Sequence, residues 1–341
     1  SGSVGMQDIV ASLAWIKENI AEFGGDPDRV LVYGQSGGGA KTSTLLAMPS
    51  AKGLFQRAGV MSGSALSVQS EEDASATAAA FLRVLGLEKG DVHKLRTLPL
   101  TTLVAAQAGM EADMRARGEA PRTFGPVVDG IAIPEQTWTP DAPEISSDVP
   151  MVISTALDER TYRMGNFDMT EDELMSFIRK RAGDKADEAF KLYRQEDPNA
   201  TPFILAARVD TDMTFRKSAF AMAERKAAQG GAPVWTYLWT WPSPAFGGRY
   251  GAVHGIDVGL SLHSVRGGLT GASSESELMA DRIASSWAAF AETGDPNNAL
   301  LPDWPAYTQD DRATMVFDVK TAVEYDPRAE VREFWEGVDP A

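Results

Sequence analysis

The sequence predicts an α/β fold with a mostly parallel central sheet flanked by helices, and three observations indicate it. Residues 29–33 form a short β-branched run without alternation, which is typical of a strand buried on both faces. A glycine-rich turn and a helix over about 40–48 follow this run, and a second short strand is predicted over 58–61. A strand, a tight turn, a helix and another strand make a βαβ unit, the building block of α/β proteins.

The elements around this unit agree with the same fold class. Apolar residues at helical spacing predict a first helix over 7–23, which two glycines end. Short apolar runs predict further strands over 151–154 and 234–239. Helical patterns between and after the strands cover about 71–85, 170–181, 203–229 and 275–292. No repeat or linker divides the chain, so one architecture is expected throughout.

Composition excludes several classes of function. The 341 residues carry 48 acidic and 32 basic side chains, a net charge of −16, which repels phosphate backbones and anionic lipid surfaces. We therefore expect no nucleic-acid partner, and no apolar run is long enough to span a membrane. The chain has no cysteine and three histidines, so we expect no metal site and no cofactor.

The turn after the first predicted strand carries a motif with chemical meaning. Gly34-Gln35-Ser36-Gly37-Gly38 matches the nucleophile elbow G-x-S-x-G, with the required strand before it and helix after it. The glycines are expected because side chains two residues on either side of a strained serine would clash. Such a turn exposes the serine hydroxyl and aims the Gly37 amide at a developing oxyanion.

Three other interpretations compete for this loop. A P-loop needs glycine directly before Lys41, where Ala40 stands. A dinucleotide-binding G-x-G-x-x-G needs its third glycine at Thr42. A glycine-rich turn with a capping serine and no chemical role remains open from this motif alone.

A serine nucleophile needs a histidine base, itself oriented by a carboxylate, and in this arrangement both follow on loops after later strands. The strand over 151–154 leads to Asp158 and Glu159, either of which is a candidate acid or an exposed loop residue. The strand over 234–239 leads through a loop rich in proline and glycine to His254, the candidate base. His263 is the fallback, and His93 is expected on the surface.

Several separated segments add a more specific signal, namely 24–27, 34–38, 61–64, 125–130, 293–297 and 304–307. Together they resemble the type-B carboxylesterases of the α/β-hydrolase fold, a family that includes bacterial para-nitrobenzyl-type esterases and the animal cholinesterases. The resemblance extends over essentially the whole chain. It implies a serine carboxylesterase that hydrolyses small-molecule carboxylic esters through an acyl-enzyme.

The resemblance also implies roles for individual residues. Ser36 is the expected nucleophile, His254 the base and Glu159, in preference to Asp158, the acid. Ser62 is expected beside the histidine as support, and Asp257 just behind it.

One position departs from the family pattern. The residue before the nucleophile is usually glutamate in the family, and the neutral Gln35 found here argues against a cationic, choline-type substrate. The alternative function is a non-catalytic binding or adhesion module on the same fold. The intact set of serine, acid and histidine disfavours it.

The resemblance finally predicts the domain organisation. Residues 1–341 are expected to be the C-terminal portion of a single large α/β-hydrolase domain, with helical insertions over about 66–120 and 160–230. The first strands of the sheet are expected to be missing from this chain, together with the upstream glycines that form the principal oxyanion hole of the family. An N-terminal fragment of the same protein is therefore an expected partner.

Overall fold

A six-stranded sheet forms the centre of the computed structural model, which describes residues 2–338. The strands lie side by side in chain order, and all neighbours are parallel except the last pair. They are β1 (Leu31–Gln35), β2 (Arg57–Met61), β3 (Met151–Ala156), β4 (Val234–Trp239), β5 (Ala313–Phe317) and β6 (Ala322–Tyr325). The predicted α/β class with a mostly parallel sheet is confirmed.

Helices cover the connections between the strands. In the part of the chain that the structure describes they are α1 (Val4–Asn19), α2 (Gly37–Leu45), α3 (Glu71–Val84), α4 (Leu100–Ala116), α5 (Glu171–Ala182), α6 (Ala186–Glu196), α7 (Pro202–Thr211), α8 (Lys217–Ala228), α9 (Ile256–Ser261), α10 (Ser274–Thr293) and α11 (Ala329–Glu336). A π-helical turn, Asp212–Arg216, joins α7 to α8.

The sheet carries a hydrophobic layer on each face. On one face, alternate residues of the central strands pack against α1, α2 and α8. On the other face, the intervening residues pack against α9 and α10, with a group of aromatic side chains between them. Every residue of β3 and β4 is buried, which explains why these strands have no polar alternation.

The helices between β3 and β4 build a core of their own. Apolar side chains of α5, α6 and α7 pack together, and α11 from the end of the chain joins them. A smaller cluster of the same kind joins α3 to α4 between β2 and β3. Helices α3 to α7 fall within the ranges 66–120 and 160–230, whereas α11 lies outside both. The expected insertions and the single domain of 1–341 stay predictions.

The structure corrects three boundaries. β1 begins two residues later than expected, and α2 begins at Gly37 instead of about residue 40 because the glycines after Ser36 already have helical backbone. The long helix expected over 203–229 is α7 and α8 with the π turn between them. The two short strands β5 and β6 were not predicted.

Candidate active site

Ser36 occupies the sharp turn between β1 and α2. Its backbone has φ 57° and ψ −118°, a conformation that non-glycine residues adopt at an energetic cost and that concentrates at functional sites. The turn is held on both sides, since the Ser36 amide donates to the Met61 carbonyl at 2.8 Å and the Ser36 carbonyl accepts from the Ala40 amide at 2.9 Å. The backbone thus has the strained turn that the motif predicts.

The glycines of the motif differ in whether a side chain would fit at their positions. A Cβ on Gly34 would lie 2.5 Å from the Gly38 carbonyl carbon, as expected for a tight elbow. A Cβ on Gly38 would meet nothing within 4 Å, so the expected clash at that position is wrong. The close approach occurs one residue later, where a Cβ on Gly39 would lie 3.0 Å from the Gly34 carbonyl oxygen and from the Cα of Gly63.

Glu159 and His254 meet at the carboxyl end of the sheet. Glu159 follows β3, is fully buried, and places Oε2 2.5 Å from Nδ1 of His254 on the loop after β4. Its other oxygen, Oε1, accepts a hydrogen bond from the Ala156 amide at 2.7 Å. A carboxylate held at both oxygens keeps the imidazole in one orientation with Nε2 free to act.

The carboxylate of the neighbouring Asp158 does not contact His254, so the two candidate acids have different partners. Its carboxylate contacts the Ala252 amide and the Arg208 guanidinium, at 2.8 and 2.7 Å. Both carboxylates are buried, so the interpretation of these residues as exposed loop acids is wrong.

Two aromatic rings pack against the imidazole of His254, and its second nitrogen is unpaired within the part of the chain that the structure describes. Nε2 is buried and has no hydrogen-bond partner among residues 2–338, so the hydroxyl of Ser36 is not bonded to it in this state. Such bonds are often loose until substrate binds. The ring of Tyr162 stacks on the imidazole at 4.9 Å and 13°, and Phe215 lies against it at 5.1 Å. Neither aromatic residue was predicted from the sequence, because nothing in the local pattern around either one distinguishes it from other loop and helix residues.

The other histidines lie outside this site. His93 is exposed, as expected. His263 is also exposed, and its Nε2 lies 2.7 Å from Oδ1 of Asp281, whose hydrogen bond raises the pKa of His263. The structure thus joins His254, and not the fallback His263, to the predicted acid.

A second layer of buried polar groups lies at the ends of the central strands. Four residues stand in register across β1 to β4 at this level of the sheet, namely Gln35, Met61, Ser154 and Tyr237. The Tyr237 hydroxyl donates to Oδ2 of Asp257 at 2.8 Å. Burial raises the pKa of Asp257 to about 6, and the nearby Glu159 adds to the effect. Burial likewise raises the pKa of Tyr237 well above its usual value.

Several buried polar atoms of this layer have no hydrogen-bond partner among residues 2–338. Ser62, expected beside the histidine, is buried with φ 49°, and its hydroxyl has no hydrogen-bond partner in the described chain. The same holds for Nε2 of Gln35, Oγ of Ser154 and Oδ1 of Asp257. Gln35 also lies close to the loop that carries His254. A Cβ built on Gly255 of that loop would be 3.6 Å from Nε2 of Gln35. Buried polar groups are normally paired, so these atoms distinguish the ends of the central strands from the apolar layers on either face of the sheet.

Residues 2–338 contain neither a candidate metal cluster nor a candidate membrane span. No group of three or more histidine, aspartate or glutamate side chains there is arranged to hold a metal ion. No helix in that range is both long and apolar enough to cross a bilayer.

Comparisons with known proteins place the chain among esterases. A profile described as the carboxylesterase family matches residues 1–335. The para-nitrobenzyl esterase of Bacillus subtilis is 33% identical, with 98% of this chain and 67% of that protein aligned. The phenmedipham hydrolase of Pseudarthrobacter oxydans is 32% identical, with 92% and 64% aligned.

Solved structures of esterases also resemble this chain. A carboxylesterase of Geobacillus stearothermophilus superposes with a TM-score of 0.78 at 32% identity, covering 97% of this chain and 69% of that one. An esterase of Clostridium hathewayi superposes with a TM-score of 0.76 at 28% identity, over 98% and 67%. The chain therefore spans about two thirds of the length of these relatives.

Proposed function

Because the chain belongs to the carboxylesterase family and has its α/β-hydrolase fold, we propose that it carries the catalytic triad of a carboxylic ester hydrolase. Ser36 is the nucleophile, His254 the general base and Glu159 the acid. The observation that carries this proposal is the buried contact of 2.5 Å between Glu159 and His254 at the same sheet edge as the strained Ser36 turn.

The reaction follows from this arrangement. His254 Nε2 takes the proton of the Ser36 hydroxyl as Oγ attacks the ester carbonyl, and the same proton then passes to the leaving alcohol. Water attacks the resulting acyl-enzyme by the reverse path, which releases the acid. Glu159 holds the imidazole and stabilises its protonated form.

The developing oxyanion needs hydrogen-bond donors. Gly37 is the first residue of α2, where amides have no partner within the helix, and its N–H is one such donor. The expected N-terminal fragment with further oxyanion donors stays a prediction.

The surroundings of His254 favour an uncharged small-molecule ester. Tyr162 and Phe215 offer aromatic surface beside the reacting atoms, and Gln35 adds no charge. Two cations flank these rings, since Arg163 bonds the Tyr162 hydroxyl at 2.7 Å and the Arg160 guanidinium lies 5.1 Å from the Phe215 ring centre. Arg160 also pairs with Asp210 at 3.4 Å, so the aromatic surface and the neutral Gln35 are the features that favour an uncharged ester. The names of the two curated relatives, an esterase and a hydrolase, are consistent with this substrate class.

A binding module without catalysis is the alternative on the same fold. The strained backbone of Ser36 disfavours it, because such strain costs of order 1–3 kcal/mol and has no purpose without the nucleophile.

The deciding experiment replaces Ser36 in the full-length protein that contains this chain. Ser36→Ala should reduce hydrolysis of para-nitrophenyl acetate by about 10⁴-fold or more, because the nucleophile is lost. A fluorophosphonate should label the wild type once, at Ser36, as read by peptide mass spectrometry.

The control is Ser12→Ala on the exposed surface of α1, where the hydroxyl bonds only its own helix backbone. This variant should keep full turnover and full labelling. Undiminished turnover by a folded Ser36→Ala variant would contradict the proposal.

A further inference from the structure

Asp158 is a buried carboxylate that the proposed reaction does not use, and it joins the two loops that carry the acid and the base. Its Oδ2 accepts a hydrogen bond from the Ala252 amide at 2.8 Å. Its own amide donates to the Ala252 carbonyl at 3.0 Å. Asp158 is the residue before Glu159, and Ala252 stands two residues before His254. The two contacts therefore set how far apart the acid and histidine loops lie.

Arg208 of α7 holds Asp158 from the other side. Its Nε donates to Oδ1 of Asp158 at 2.7 Å, and its Nη1 donates to Asp197 at 2.9 Å. The side chains of Arg208 and Asp158 are only 9% and 3% exposed. Both oxygens of the Asp158 carboxylate are thus bonded, one to a helix and one to the histidine loop.

Tight packing and a further side chain fix the position of the two loops around these contacts. Gly251 has φ +58°, and a Cβ there would lie 2.2 Å from Oδ2 of Asp158. The Thr161 hydroxyl contacts the carbonyls of Asp158 and Tyr250, each at 2.9 Å, which ties the loops at a second point.

Stability alone does not account well for a buried ion pair such as the one between Asp158 and Arg208. Burying two charges costs free energy that an apolar pair of similar shape would not cost, and in some proteins such pairs are retained for the geometry they enforce. The geometry enforced here is the placement of His254 Nδ1 against Glu159 Oε2. Misplacing a catalytic group by about 1 Å can cost about 10²-fold in rate.

We propose that Asp158 and Arg208 are positioning residues, which lock the histidine loop to the acid loop so that Glu159 and His254 stay aligned during ester hydrolysis. This inference rests on the proposed function. Neither residue touches substrate. Their effect reaches the reaction only through the backbone of Ala252 and the contact between Glu159 and His254.

The test compares Asp158→Asn, Arg208→Gln and the double variant in the full-length protein. Each single change should lower kcat about 10- to 100-fold and leave KM within about twofold, because alignment of the base matters in the transition state and not in substrate binding. The double variant should be no worse than about the larger single effect, since both residues act through one contact.

NMR spectroscopy distinguishes a loss of alignment between Glu159 and His254 from a loss of folding. The proton between His254 Nδ1 and Glu159 should give a resonance far downfield in the ¹H NMR spectrum of the wild type, and Glu159→Gln assigns it. In Asp158→Asn and Arg208→Gln this resonance should shift upfield or broaden, while far-UV circular dichroism stays unchanged. If Asp158→Asn does not fold, Arg208→Gln carries both measurements, and Arg208→Lys, which keeps the charge, should retain more of kcat than Arg208→Gln.

The matched control is Glu224→Gln, which breaks the partly buried ion pair with Arg312. It should leave kcat and the resonance unchanged. Folded Asp158→Asn and Arg208→Gln variants with wild-type kcat and an unshifted resonance would overturn the inference. A wild type that neither turns over ester nor labels at Ser36 would instead refute the proposed function, and the resonance would still test the alignment.

Discussion

Asp257 shows how one buried side chain couples the candidate site to pH. It is fully buried three residues after His254, with one oxygen bonded to Tyr237 and the other unpartnered among the described residues. Burial raises its pKa from 3.8 to about 6. The folded state therefore binds this proton more tightly than the unfolded state. The resulting stabilisation is present below about pH 4 and is lost as the pH rises through about 6.

Asp257→Asn should remove this pH dependence, because an amide stays neutral throughout. The free energy of unfolding of the wild type, minus that of the variant, should fall by roughly 3 kcal/mol between pH 4 and pH 7. Urea unfolding of both proteins at the two pH values measures it. A constant difference would show that Asp257 titrates normally in the folded protein.

The elbow shows how an element can impose different demands on adjacent glycines. Gly38 and Gly39 both lie in the first turn of α2, yet of the two only Gly39 has no room for a side chain. A Cβ on Gly39 would lie 3.0 to 3.1 Å from the Gly34 carbonyl oxygen, the Gly63 Cα and the Met61 carbonyl oxygen, while a Cβ on Gly38 would meet open space. The motif letters identify the turn, while the packing of β2 against α2 determines which glycine cannot carry a side chain.

Two alanine substitutions should therefore differ in sign. Gly38→Ala should stabilise the protein by up to about 1 kcal/mol, because alanine loses less backbone entropy in a helix and its Cβ meets open space. Gly39→Ala should destabilise it by about 1 to 3 kcal/mol, the usual cost of overpacking. Thermal unfolding of both variants gives the comparison, and equal effects would argue against the described packing of the elbow.

Across the molecule, a buried cluster of charges ties the last helix to the acid loop. Asp212 accepts from Arg216 at 2.6 Å and from Arg328, beside α11, at 2.7 Å. Arg216 in turn donates to the carbonyls of Ala156 and Leu157 at 3.2 Å, at the end of β3. Burial alone would raise the pKa of Asp212, but Arg328 and Arg216 outweigh burial and lower it. The cluster therefore depends on keeping both arginines.

Arg328→Met should destabilise the whole protein, since it leaves Asp212 buried with one cation fewer. The expected loss in the free energy of unfolding is about 3 to 5 kcal/mol, the usual cost of removing one partner of a buried pair. Urea unfolding measures it. The control, Arg115→Met, removes an exposed pair with Glu111 and should cost at most about 1 kcal/mol. Equal losses in the two variants would refute the role of the cluster.

The sequence by itself determined the fold class, the elbow and the order of the triad candidates. The βαβ pattern around 29–61, the G-x-S-x-G motif and the strands before Asp158 and His254 are local signals, readable because hydrophobic periodicity and turn chemistry act over a few residues. Strands β5 and β6 were not predicted. Unlike β1 and β2, neither borders a glycine-rich turn and helix that mark it as part of a βαβ unit, and β6 is largely exposed.

The family resemblance favoured Glu159 over Asp158, but only the tertiary structure shows the physical reason that separates the two carboxylates. Asp158 and Glu159 are adjacent, and residue patterns alone left both open. Their partners come from far along the chain: Arg208 and Ala252 lie 50 and 94 residues from Asp158, and His254 lies 95 from Glu159. Such contacts form because the parallel strands bring their carboxyl ends to one edge and burial obliges each charge to find a partner.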